Sequence, residues 1–142
     1  MSTETLQPAE WPRPKGYANG MAARGRMLFI SGQVGWDAQG RFVSDILAEQ
    51  VKQSLRNIVR VLKEGHAEPK HIVRLTWYVL SREAYVREAR EIGTAYREVL
   101  GKQFPAMSVV EVRGLVEQHA LVEIEATAVI PDEEADGHLA PA

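Results

Sequence analysis

The chain has 142 residues, 45% of them hydrophobic and 25% charged, and no cysteine; this fits one domain with one core and excludes disordered, collagen-like and fibrous chains. Without thiols there are no disulfides, thiolate metal ligands, iron–sulfur clusters or cysteine nucleophiles, and a reducing cytoplasm is the expected location. Lys and Arg number 17 against 19 Asp and Glu, a net −2, and setting aside Asp132, Glu133, Glu134 and Asp136 near the C-terminus leaves about +2, so neither nucleic acid nor an anionic membrane is an expected partner.

Residues 1–16 carry Pro8, Pro12, Pro14 and Gly16 and read as an irregular lead-in. They hold no basic stretch followed by an apolar one, so no signal peptide is expected. No apolar run approaches the roughly 18–20 residues of a membrane helix. Residues 17–131 read as the single folded domain. Within it, residues 17–24 suit a first strand, Arg24-Gly25-Arg26 a turn, and residues 26–32 (RMLFISG) a second strand. Asp37 to Gly40 is a turn signal.

Over residues 45–64, Leu47, Val51, Leu55, Ile58, Val59 and Leu62 trace one helical stripe, and Gly65 stops it. Residues 71–80 alternate as a strand, with Val73, Leu75, Trp77 and Val79 on an apolar face and Ile72, Arg74, Thr76, Tyr78 and Leu80 on a mixed one. Ser81 is an N-cap for a second helix with the stripe Tyr85, Ala89, Ile92, Tyr96 and Val99/Leu100, closed by Gly101. Residues 107–113 and 121–130 alternate as two more strands; Val122, Ile124, Ala126, Ala128 and Ile130 share one face of the last. Residues 131–142 hold two prolines, a glycine and four acids, so residues 132–142 read as a disordered acidic tail.

Two single-sided helices cover one face of such a sheet. The other face is expected to carry Met107, Val109, Leu121 and Val129 among charges, a mixture that suits an oligomer interface. Trp77 falls on the apolar face and reads as core.

Chemistry-bearing patterns are sparse. His66, His71, His119 and His138 show no metal-ligand spacing and read as exposed loop or tail residues; no HExxH motif or nucleophilic triad is present. Gly32-Gln33-Val34-Gly35 is not a phosphate-binding glycine pattern. Glu123 and Glu125 share a strand face. Such a pair serves acid–base chemistry when burial raises one pKa, or it forms a charged surface stripe.

Several segments together resemble a known family. They are Tyr17-Ala18-Asn19-Gly20, then Leu28 to Gly35 (LFISGQVG), then a helix with Gln50, Gln53, Leu55, Asn57 and Ile58. Phe104-Pro105-Ala106 and Val122 to Ala128 (VEIEATA) complete the set. Over residues 17–131 the chain is similar to the RidA family, also called YjgF. The resemblance implies a chorismate-mutase-like α+β fold, a sheet with two helices on one face, assembled as a homotrimer with ligand clefts between subunits. It implies hydrolysis of reactive enamines and imines, such as 2-aminoacrylate, to a keto acid and ammonia, with no metal or organic cofactor.

The resemblance further makes Glu123 the catalytic carboxylate that orients water. Tyr17, Ser31, Gly32, Met107 and Val109 become substrate-binding positions. One departure matters. Where the family pattern has an arginine that clamps the substrate carboxylate, this chain has Met107, and Val109 stands where a cysteine is frequent. A thioether has no charge and no fork of donors. Arg113, six residues on, is about 20 Å away along an extended strand and substitutes only across a subunit boundary. The expected function is therefore an imine or enamine hydrolase whose substrate is not 2-aminoacrylate. The alternative is a non-catalytic homotrimer that binds or senses a small metabolite.

Overall fold

The computed structural model describes residues 3–135. Its elements run β1 (Thr3–Leu6), β2 (Gly20–Ala23), β3 (Gly25–Val34), α1 (Leu47–Glu64), β4 (Ile72–Val79), α2 (Arg82–Arg87), α3 (Ala89–Leu100), β5 (Ala106–Glu111), β6 (Val122–Pro131) and α4 (Asp132–Ala135). The main sheet has the order β3-β6-β4-β5, and β1 pairs with β2 in a separate ribbon. β6 is antiparallel to both neighbours, while β5 is parallel to β4. A parallel neighbour needs a long crossover, and α2 with α3 supplies it. The result is the α+β fold expected from the sequence.

The predicted stripe of the first helix does what its spacing requires. Leu47, Val51, Leu55, Ile58 and Leu62 of α1 are all buried, and they meet Ile30, Leu75, Val122, Ile124 and Ala126 of the sheet in one core. Each such side chain contributes about 1.5–3 kcal/mol on burial. The Gly65 N–H closes α1 on the Leu62 carbonyl at 2.9 Å.

Several expectations are corrected. The lead-in is not wholly irregular, because Thr3–Leu6 aligns with Gly20–Ala23 as a short antiparallel ribbon. The second helix is two, broken at Glu88. Ile46, the cap residue of α1, offers no side-chain acceptor, and the Glu88 carboxylate accepts the Ala48 N–H at 3.0 Å instead. A remote acid thus does the N-capping. A bulge between Ile72 and Arg74 upsets the alternation of β4, so Ile72 joins the core while Val73 is only half-buried.

Met107 and Val109 lie on the helix side of the sheet, not on its open face. Parallel pairing puts them beside Leu75 and Trp77, both buried under the helices. Leu121 also packs against the core. The open face instead carries Met27, Phe29 and Val110, which are exposed, with Thr76, Tyr78, Glu123 and Glu125. Arg113 lies beyond the end of β5.

His71 is buried rather than exposed. Its Nδ1 accepts the Glu68 N–H at 3.0 Å, and its Nε2 meets Glu134 Oε1 at 2.8 Å. The acceptor role of Nδ1 leaves the proton on Nε2, so Nε2–H donates to Glu134. Asp132–Ala135 of the predicted tail forms the helical turn α4, and residues 136–142 lie outside the described residues.

Candidate functional site

Ser31 and Gly32 sit where β3 slips register against β6, between Ile30 and Gln33. A bulge there bends the strand and re-aims its groups. A Cβ on Gly32 would stand 2.0 Å from Oε2 of Glu123 and 2.6 Å from its carboxyl carbon. The Glu123 carboxylate therefore rests directly on the bare Gly32 backbone, and only glycine permits that approach.

Across the strand pair, Glu123 neighbours Tyr78. The Tyr78 hydroxyl donates to Oε1 of Glu125. That bond, then desolvation and the two glutamate charges, hold the phenol above its usual pKa. Glu125 is thus occupied by a phenol that stays protonated. Glu123, half-buried, makes no side-chain hydrogen bond or ion pair among the described residues. The two carboxylates that look alike in the sequence differ in what they have free to offer.

The polar residues of α1 hold the loop that follows. Gln50 is fully buried; its Nε2 donates to the carbonyls of Ser44 (2.8 Å) and His119 (3.0 Å), and its Oε1 accepts the Leu121 N–H at 2.8 Å. Asn57 Nδ2 donates to the carbonyls of Val34 and Trp36, and Gln53 Nε2 donates to Asn57 Oδ1. Gly35 lies against α1, where a Cβ would come within 2.7 Å of the Gln50 Cα. The loop after Gly32 is thereby clamped to the helix, and the loop before β6 to the same glutamine.

The other candidate residues gather at the β5 edge. The Ala18 N–H donates to the Pro105 carbonyl at 3.0 Å, and Ala18 bridges Ala106. This brings Tyr17 to the strand that carries Met107 and Val109. Met107 borders a cavity of about 190 Å³ whose walls include Trp77, Tyr85, Tyr96 and Phe104. Trp77 stacks on Tyr96 (ring centroids 6.2 Å apart) and Tyr96 on Phe104 (5.7 Å). The Tyr96 hydroxyl donates to the Gln103 carbonyl, and burial pushes its pKa up.

One protomer does not unite the two groups. Ser31, Gly32 and Glu123 lie at the β3–β6 side with Glu123 on the open face, while Met107 and Val109 lie under the helices at the opposite edge. Among the described residues no three His, Asp or Glu side chains cluster as a metal site, and no helix is long and apolar enough to cross a membrane.

A family model described as Endoribonuclease L-PSP matches residues 11–130. The chain belongs to the RidA/YjgF family. The 2-iminobutanoate/2-iminopropanoate deaminase of Homo sapiens is 30% identical over 105 residues, which is 73% of this chain and 73% of that protein. The Bos taurus protein of the same name is 33% identical over the same shares. A crystal structure of the Rid family protein YyfB from Yersinia pestis, of unknown function, superposes with a TM-score of 0.79 at 31% identity, covering 92% of this chain and all of that one.

Within this RidA-family chain, sequence reasoning missed the wall of the cavity. Trp77 and Tyr96 read as core, and they are buried, yet they also border open space. Gly93, inside a helical stripe, was the available signal. A glycine inside a helix costs about 1 kcal/mol against alanine, and Gly93 borders the cavity.

Proposed function

We propose that this chain is a cofactor-independent, cytoplasmic imine or enamine hydrolase acting as a homotrimer, with each ligand cleft formed between two copies. The observation that carries the reading is the unpaired Glu123 carboxylate seated on the Gly32 backbone. The relatives named as imine deaminases support the reaction type. Hydrolysis of an imine needs little more than a placed water and proton management. Glu123 holds the water and takes one of its protons as the water oxygen bonds to the imine carbon; the C=N electron pair moves to nitrogen, which receives that proton from Glu123. The carbinolamine then breaks its C–N bond, nitrogen leaves as ammonia with the hydroxyl proton, and a carbonyl remains. Imine and water become an oxo compound and ammonia, with no oxidant or reductant.

The composite cleft is supported by the separation of Glu123 from Met107 within one protomer and by the exposed Phe29 and Met27 on the open face beside Glu123's strand. Ser31, Gly32 and Tyr17 line the cleft, and Met107 with Val109 make it apolar. The test is ammonia release from imines generated from a panel of amino acids. Glu123→Ala is expected to lose about 100-fold or more in rate; equal rates for both proteins across the panel would overturn the mechanism. Phe29→Glu is expected to run as a monomer in sedimentation and to be inactive.

Met107 favours a second reading, a small-metabolite-binding or regulatory homotrimer without turnover, because it removes the charged anchor of the family pattern. A metabolite that binds and is recovered unchanged would favour it.

A further inference from the structure

The cavity beside Met107 is shaped for more than a two- or three-carbon substrate. Its volume, about 190 Å³, compares with the roughly 150 Å³ of a dry apolar cavity that accepts a benzene ring. Three of its walls, Trp77, Ile92 and Tyr96, are at most 6% exposed and belong to the packed core, so the space is preformed. Tyr85 stands edge-on to Trp77 at 6.3 Å. Trp77 and Tyr96 form the floor, and the half-buried Tyr85 with the 40% exposed Phe104 offer the ring surface that a guest meets; an aromatic ring suits such surfaces, and the Met107 thioether adds a soft contact of the same preference.

Two features set the other end of the ligand. Lys15 and Arg97 also border the cavity, and neither has a carboxylate partner among the described residues. The Arg97 guanidinium lies over Gly93, where a Cβ would sit 3.4 Å from a terminal nitrogen. Two unpaired cations beside an aromatic-walled space complement a carboxylate attached to a ring.

We propose that this pocket takes the side chain of an aromatic 2-imino acid, or of its 2-oxo acid product, with the carboxylate held by Arg97 and Lys15. This rests on the hydrolase reading and gives it a substrate class. It also explains how a chain with Met107 in place of the clamping arginine keeps hold of an acid: the anchor has moved to the helix α3.

The experiment is calorimetric titration of the full chain with phenylpyruvate, pyruvate and phenylacetone. Phenylpyruvate is expected to bind about tenfold or more tightly than pyruvate, which lacks the ring, and than phenylacetone, which lacks the carboxylate. Arg97→Gln is expected to weaken phenylpyruvate about tenfold and leave phenylacetone unchanged. Gly93→Leu fills the space, with better helix propensity than glycine, and is expected to abolish binding of both ring compounds. Pyruvate binding as tightly as phenylpyruvate, or Arg97→Gln binding phenylpyruvate like the wild type, would overturn the assignment. Should Gly93→Leu not fold, the Arg97→Gln comparison decides alone. Ammonia release from the imines of phenylalanine and alanine is followed in parallel. Tight phenylpyruvate binding with no turnover of either imine would sustain the pocket and overturn the hydrolase; turnover of both at equal rates, unaffected by Arg97→Gln, would do the reverse.

Discussion

At the β3–β6 side of the sheet a carboxylate rests on bare backbone, with a strand bulge to receive it and a clamped loop behind it. At the β5 edge, stacked rings border an open cavity and no acid is present among its lining residues. The first region depends on the bare backbone of Gly32; the second sets Met107 among aromatic walls. Polar precision and apolar volume are supplied by different ends of one sheet.

The largest effect that could break this contrast lies at Gly32. Gly32→Val places carbon where Oε2 of Glu123 sits and is expected to cost about 100-fold or more in imine hydrolysis, as Glu123→Ala does. The new carbon also overlaps Glu123 Cδ and Cγ at 2.6 and 2.7 Å, so a lower melting temperature is expected and the rate is read at a temperature where the variant is folded. Wild-type rates would mean that the carboxylate on glycine has no catalytic part. Next, Met107→Arg adds a forked donor to the apolar edge. Charge-assisted hydrogen bonds of about 1.5–3 kcal/mol convert to roughly a 10- to 100-fold gain on 2-aminoacrylate, read as ammonia release; no gain would show that the pocket differs from the family pattern by more than this residue.

Gly35→Ala sharpens the comparison through stability rather than rate. Its methyl meets the α1 backbone at Gln50, and overpacking of that kind costs about 1–3 kcal/mol, measurable as a lower urea midpoint with unchanged slope. The smallest effect belongs to the C-terminal turn. The hydrogen bond from His71 holds Glu134 below its usual carboxylate pKa of 4.5. A depressed folded-state pKa means stability that is present above pH 4.5 and lost as pH falls through the folded-state value. Glu134→Gln should therefore narrow the gap in melting temperature between pH 6 and pH 3.5, by a small amount because the pair is exposed on the glutamate side.

The main elements were legible because their signals are local. The α1 stripe, the Gly65 and Gly101 stops, the Ser81 cap and the β6 alternation each depend on residues within one turn or one strand. The misreadings share the opposite cause. Glu88, where one helix breaks, caps another helix forty residues away. His71 is buried and meets Glu134 from the far end of the described chain. The face of Met107 follows from which strand β5 pairs with, and in which direction. Nothing within the six residues of β5 states that choice.

What the sequence determined by itself was a cysteine-free, nearly neutral α+β chain of RidA type. Composition, periodicity and short motifs carry that much because they are properties of neighbouring residues. The tertiary structure decided that the Glu123 carboxylate lies against Gly32, which of two like glutamates is left free, and that an aromatic-walled cavity with two unpaired cations lies beside Met107. Those outcomes depend on distances between residues far apart in the chain, set by strand pairing and by the packing of helices on one face of the sheet.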